Sequence, residues 1–584
     1  MTHSDAPFRN SEDVSHVADV GDYGAPLPAG EFRTYIVSRL ITGIGLLFVL
    51  SVAVFVLTHI LPDDPFLDGQ LALLRDELGL SSPLSQYLNW IGNTSRGDFG
   101  YSVNSGTAVG DLIVDRLPAT LSLLPLTMFF AAAVSLPLGV LAATRRGSLM
   151  DRVVEGAAVF GVGVPSFWLA LMLTLILPMG SWDGPMNELV LPSLVLAILA
   201  GAVMVRVVRS SIVEVLDSQD IEPSRGSRLP VRACLVRCLG NVLIWAPALF
   251  GVFLAGAIVV ETVLVVPGIG SLAVSAAQAR DYPVLQAVAV VAAGMAVIVL
   301  GFGLVAGLLV RRLDPGAAVR PATGQPVSTR TSIPPDPSMS IARKVPGVPL
   351  IAVGILLVVA ALAPIIATQD PVRVSIEDAS SSPGAGHLLG TDALGRDVLS
   401  RLVYGARPGL AVALLSLIPV AVVGGGLGLL SGYAGGKVDA SITGALDNIP
   451  AFPLLLLAIL VAAAFDPGLT GLPIAVTLVL WPGIARATRD EVAVLKASGG
   501  IGLSNAIGPI IALVTLHFGL SILMEATLSF LGLGIQPPTP SWGSMMAVPI
   551  HEVRAAPWIV IFPGLALTAL TLTLIASPFR WSRI

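Results

Sequence analysis

Two carboxylates sit in apolar surroundings with the same residues after them. Glu261 is followed by Gly268 and Gly270, and Glu525 by Gly532 and Gly534, at identical spacing. A carboxylate at mid-membrane costs about 2.5–3.5 kcal/mol on insertion scales, so such residues face a bundle interior or water. Two roles fit this pattern. Glu261 and Glu525 line one shared path across a pseudo-two-fold, or each caps nearby backbone or pairs with an arginine such as Arg280.

Other chemistry finds no support in the residue pattern. His3, His16, His59, His387, His517 and His551 are scattered without metal-ligand spacing; His59 and His517 stand alone on apolar stretches, where a packing role is expected. Cys234 and Cys238 are the only cysteines, too few for a disulfide framework or a zinc site. No nucleophile–base arrangement stands out, so no catalytic, cofactor or metal site is expected. None of the three lysines, Lys344, Lys437 and Lys496, lies in a G-x-x-x-x-G-K-[ST] loop, so the chain is not expected to bind ATP through that motif.

The elements that must position these residues are membrane helices. Of 584 residues, 54% are hydrophobic and 12% charged, against about 25% charged in soluble domains; mean hydropathy is +0.85. Apolar runs of about 20 residues recur, the length that crosses a bilayer as helix. The short alternating segments of a β-barrel are missing.

The chain also repeats itself about a proline-rich seam. Besides the two glutamate–glycine patterns, Gly139, Gly147 and Asp151 correspond to Gly428, Gly436 and Asp439. Pro165-Ser166-Phe167 likewise corresponds to Pro450-Ala451-Phe452. Three matches in one order argue for duplication. The expected organisation is a polar, acidic, disordered cytosolic tail (1–32), a first membrane module (33–313), an extended Pro-rich cytosolic linker (314–345) and a second module (346–584). The tail lacks the basic start and cleavage site of a signal peptide, so the first span is expected to stay uncleaved.

Spans are expected near 35–60, 117–144, 153–178, 189–212, 241–265 and 284–310, then near 347–367, 408–433, 442–465, 471–495, 506–530 and 556–577. With both termini inside, 24 of the 33 Lys and Arg residues fall on the cytosolic side, which sets the orientation. Segments 61–116, with an amphipathic helix expected over Leu71–Leu80, 368–407 and 535–555 then face outward. Gly424, Gly425, Gly426, Gly428, Gly432, Gly435 and Gly436 give the second module's second span a small face, read as a helix contact line or as a flexible gate.

These residues resemble a known family, the permease subunits of peptide-type ABC importers (dipeptide, oligopeptide or nickel). The first module resembles the B-type subunit through Arg96-Gly97-Asp98-Phe99-Gly100-Tyr101-Ser102, Arg116-Leu117-Pro118-Ala119-Thr120, Val164-Pro165-Ser166-Phe167-Trp168, Glu261-Thr262 with Pro267-Gly268-Ile269-Gly270, and Arg280-Asp281-Tyr282-Pro283. The second resembles the C-type subunit through Leu389–Leu399, Tyr404-Gly405-Ala406-Arg407, Glu525–Gly534 and Gln536–Gly543.

The resemblance implies an all-α integral membrane fold of two tandem six-helix type-I importer domains in the plasma membrane. It implies partners too: cytosolic ATPase subunits, an external solute-binding protein, membrane lipid, and a peptide or small solute as substrate. No nucleic acid is implied. Docking of the binding protein would involve Asp98, Tyr101, Asp392, Arg396, Asp397 and Trp542. ATPase contact would involve Arg225, Gly226, Arg228, Arg489, Glu491 and Lys496.

One departure is large. The family couples to its ATPases through a helix carrying an E-A-A…G pattern between the fourth and fifth spans. Here the corresponding stretch of the first module, Asp220 to Asn241, lacks E-A-A and holds Pro223 and Pro230, each costing about 3 kcal/mol inside a helix. In the second module Lys496-Ala497-Ser498-Gly499-Gly500-Ile501-Gly502 replaces the whole segment, and its glycines favour a turn. Either an unusual ATPase or another contact, such as the Arg145–Asp151 turn, transmits the stroke, or the chain is a degenerate paralogue acting as a non-transporting scaffold. A secondary transporter fits less well, because the repeat is parallel and charged relays are sparse.

Overall fold

The computed structural model describes residues 51–57 and a few just before them, 83–176, 189–217, 231–313, 347–497 and 503–575. The tail, the linker, the Leu71–Leu80 stretch and Arg225, Gly226 and Arg228 lie outside the described residues.

Among the described residues the fold is helical, with two isolated β-bridges, Tyr101 to Ala108 and Thr391 to Asp397, and no named strand. The first module holds α1 (Pro83–Thr94), α2 (Val109–Thr144), α3 (Leu149–Gly163), α4 (Ser166–Ile176), α5 (Leu191–Asp217), α6 (Val231–Val263), α7 (Ile269–Gln278) and α8 (Tyr282–Leu313). The second holds α9 (Gly347–Ala361), α10 (Val398–Tyr404), α11 (Ala406–Val420), α12 (Gly426–Ala434), α13 (Gly436–Asn448), α14 (Leu454–Ala464), α15 (Gly471–Ala497), α16 (Leu503–Phe530), α17 (Trp542–Met546) and α18 (Trp558–Ile575). Among the described residues seven stretches are long and apolar enough to cross a membrane, and two bent pairs raise that to nine. The shorter apolar helices α9 and α18 fall where two further spans were expected.

The spans expected near 153–178 and 442–465 are each a bent pair of helices. Helices α3 and α4 meet at 103°, and the Gly436–Ala451 stretch meets α14 at 80°. Proline stands at both breaks. Residues before proline are pushed out of the helical region, and Val164, just before Pro165, has φ −81° and ψ 128°. In the second module the break follows Pro450 and runs through Pro453, whose ψ is 93°.

Both breaks reach the opposite module. Phe167 stacks on Phe530 at the end of α16, and the Trp168 indole donates to the Val560 carbonyl of α18 at 3.0 Å. Reciprocally, the backbone at Pro450 lies against Gly251 of α6, where any Cβ would overlap the Pro450 carbonyl oxygen. Thr571 also donates to the Gly163 carbonyl at 2.8 Å. The two modules therefore share one buried core, in which Phe167 and Phe253 of the first and Leu456 and Ile459 of the second are fully enclosed.

Within each module the second and fourth spans touch through glycine. Gly424, Gly428 and Gly432 lie against Trp481, Ala485 and Arg489 backbone, four residues apart on both helices. Gly139 makes the equivalent approach to Val205 and Val208. The small face is thus a contact line, as close helix approach in lipid requires.

Candidate translocation and docking sites

Glu261 ends α6 and is fully buried. Its Oε1 accepts the Thr120 hydroxyl at 2.7 Å, and its Oε2 accepts the amides of Gly270 at 2.7 Å and Ser271 at 3.1 Å. Those amides open α7, which has unsatisfied donors and a positive dipole end that a carboxylate satisfies. Thr120 completes the knot by accepting the Ile269 amide at 2.9 Å. The glycines are steric requirements, since a Cβ at Gly268 would overlap the Glu261 carboxyl and one at Gly270 would overlap Ile258 backbone.

Glu525 sits equivalently near the end of α16, also buried. Ser529 donates to its Oε1 at 2.7 Å and accepts the Ile535 amide at 2.9 Å, the part played by Thr120 in the first module. Arg280 takes no part in either knot; it pairs with Asp466 across the modules at 2.7 Å. The observed geometry is therefore a carboxylate that ties down the turn after the fifth span in each module.

The outer loops repeat as well. Asp98 accepts from the Gly100 amide and Asp392 from the Leu394 amide, both at 3.0 Å. The first residue of the following helix then closes back in each case, Val109 onto Gly100 and Val398 onto Gly390. In the first module this loop is anchored by Asp281, which accepts the Ser102 hydroxyl at 2.5 Å and the Val103 and Asn104 amides at 3.3 Å. In the second, Asp392 holds Arg396 at 2.7 Å.

Asp397 caps α10 through the Ser400 amide at 2.8 Å and hydroxyl at 2.7 Å. It also takes the Thr368 hydroxyl and lies 3.0 Å from His387 Nδ1. Burial pushes its carboxyl up, but these hydrogen bonds outweigh burial and hold it below the usual carboxylate range.

The expected docking residues thus divide by exposure. Asp98 and Tyr101 reach solvent and Arg396 is half-buried, while Asp392, Asp397 and Trp542 are buried. The Trp542 indole donates to the Leu402 carbonyl at 2.8 Å, so it ties the start of α17 to α10.

On the opposite end of the bundle, Arg489 is buried and forked onto Asp439, with Nε to Oδ1 at 2.8 Å and Nη2 to Oδ2 at 2.5 Å. Its Nη1 also reaches Asp490 at 2.9 Å. Lys496 donates to the Tyr433 carbonyl at 2.8 Å, and Glu491 is half-buried. Sequence reasoning did not anticipate the matching pair in the first module, Arg209 Nε to Asp151 Oδ1 at 2.7 Å and Nη2 to Oδ2 at 3.0 Å. The aligned Asp151 and Asp439 were the signal available. Their partners lie 58 and 50 residues away.

Comparison with known proteins agrees with this architecture. The family described as binding-protein-dependent transport system inner membrane component matches residues 135–319, and its N-terminal companion matches residues 32–124. The chain is 35% identical over 240 residues to the dipeptide transport system permease protein DppC of Alkalihalophilus pseudofirmus, covering 38% of this chain and 79% of that one. It is 33% identical over 312 residues to the oligopeptide transport system permease protein AppB of Bacillus subtilis, covering 48% of this chain and 98% of that one. The dipeptide permease DppB of Escherichia coli is 32% identical over 302 residues, covering 43% and 89%. Each relative is covered over most of its length yet occupies less than half of this chain, as expected of two permeases joined in one polypeptide. The chain belongs to the binding-protein-dependent transport system inner membrane components, a family of multi-pass transport permeases rather than enzymes.

Proposed function

We propose that the chain moves peptides or similar small solutes into the cell as the fused B-type and C-type permease of an ABC importer, residues 33–313 and 346–584 forming its two halves. The observation that carries the reading is the reciprocal packing of the two broken spans, Phe167 onto Phe530 and Pro450 onto Gly251. It makes one bundle from two repeats, with the equivalent Glu261 and Glu525 knots at one end. The kinship to dipeptide and oligopeptide permeases supports the substrate class.

In this reading separate cytosolic ATPases supply the energy and an external binding protein delivers substrate. Both termini and the linker face the cytosol, following the distribution of Arg and Lys. The binding protein docks where Asp98 and Tyr101 project and where the Asp392–Asp397 turn presents Leu394 and Arg396. Asp392, Asp397 and Trp542 hold that surface in shape. Glu261 and Glu525 fix the turns that border the path between the modules.

The test is reconstitution of the chain in liposomes with its ATPases and binding protein, followed by uptake of labelled peptides. Accumulation that requires both ATP and the binding protein supports the proposal. Failure to recover any ATPase in gentle detergent, together with no ATP-dependent uptake, would leave a membrane scaffold in its place.

A further inference from the structure

We propose that the paired side chains Asp151–Arg209 and Asp439–Arg489 are positioning struts, and that in the second module the ATPase stroke enters through the strut-held turn Gly435–Lys437. The inference rests on the importer reading above. In both pairs guanidinium Nε meets Oδ1 and Nη2 meets Oδ2, a fork that fixes orientation as well as distance. Each aspartate lies in the first turn of the third span, just after the turn that ends the second. Each arginine lies on the fourth span, which leads into the connector toward the fifth.

The turns are tied in further. The Gly147 amide donates to Asp151 at 2.9 Å, and Ser431 donates to Asp439 at 2.6 Å. Lys496 reaches across to the Tyr433 carbonyl at 2.8 Å. A displacement of either turn therefore moves the fourth span with it.

The modules differ in what lies beyond. Helix α15 ends at Ala497 and α16 begins at Leu503, so only residues 498–502 connect them. An α-helix takes 3.6 residues per turn, and five residues are too few for a docking helix of even two turns. In the first module the interval from Asp217 to Val231 is far longer. The exposed chain available near this end of the second module includes the turn itself, where Lys437 and Val438 reach solvent. Gly435 and Gly436 carry φ of +66° and +55° there.

The experiment uses the full chain reconstituted with its ATPases and binding protein, reading solute accumulated per ATP hydrolysed. Asp439→Asn is expected to lower that ratio at least tenfold, Asp151→Asn by less, and Asp439→Glu is expected to restore most of it. In a cysteine-free background, Lys437→Cys is expected to cross-link to a cysteine-bearing ATPase subunit, whereas Leu388→Cys at the opposite end is not. A wild-type ratio in Asp439→Asn, or no cross-link from Lys437→Cys, would overturn the inference. The cross-link decides even where Asp439→Asn fails to fold. A wild-type chain without ATP-driven uptake would instead overturn the importer reading itself.

Discussion

Phe167 and Phe530 stack with ring centroids 4.5 Å apart and planes 17° from parallel, although one belongs to each half of the duplicated chain. Phe167 is fully enclosed, and it sits two residues beyond the proline that breaks its span. Truncation to alanine leaves a cavity at the seam, and such changes cost about 3–5 kcal/mol in protein cores. Phe167→Ala should therefore lower the thermal unfolding midpoint in detergent, with Phe167→Leu intermediate. An unchanged midpoint would mean that the seam is held elsewhere.

The glycine line offers a sharper steric contrast. A Cβ at Gly428 would overlap the Ala485 carbonyl, whereas one at Gly425 meets open space. Gly428→Val should abolish recovery of monodisperse protein, while Gly425→Ala should be tolerated. Size-exclusion profiles of the two variants check this directly, and equal profiles would refute the contact line.

Removing the Glu261 carboxylate leaves the Gly270 and Ser271 amides without their acceptor. Each unsatisfied buried donor costs about 1–3 kcal/mol. Glu261→Ala should thus destabilise more than Glu261→Gln, which keeps one accepting oxygen. Amide exchange in α7 should quicken in the same order. For Glu525→Gln the measurement is uptake at matched membrane levels, with impairment expected; wild-type kinetics would deny this group a part in transport.

Asp397 gives a pH dependence whose sign is fixed. Its carboxyl is held below the ordinary value, so the unfolded loop takes up protons first as pH falls. The contribution is complete above the unfolded carboxylate value of about 3.9 and is lost as pH drops through the lower folded value. Protection of the Ser400 amide from exchange should stay flat from pH 8 to 5 and fall only in strong acid. Asp397→Ala, which leaves the Ser400 amide without its cap acceptor, should remove protection throughout that range. Loss of protection near pH 6 in the wild-type chain would contradict the assignment.

Much of this organisation was legible in the sequence because it depends on local rules. Prolines at 165 and 450 mark the breaks, and the Glu261 and Glu525 patterns mark the knots through residues only seven and nine positions on. The helical, twin-module character followed from apolar length and ordered repetition. What could not be read were distant partners. Nothing local to Arg489 shows that it turns inward to Asp439, 50 residues away, rather than outward to another subunit. The bends were hidden for a related reason: apolar run length counts residues, not their direction. Trp542 was expected at the docking surface, yet it is buried and its indole donates to the Leu402 carbonyl of α10.

The way each broken span inserts into the other half also bears on how much of each half a cell must make. A B-type or C-type piece produced alone would display the groove meant for its counterpart's bend and invite clumping with its own kind. Joining both on one message enforces equal dosage and supplies the mate as soon as translation ends, so the first half waits only while the second is being made.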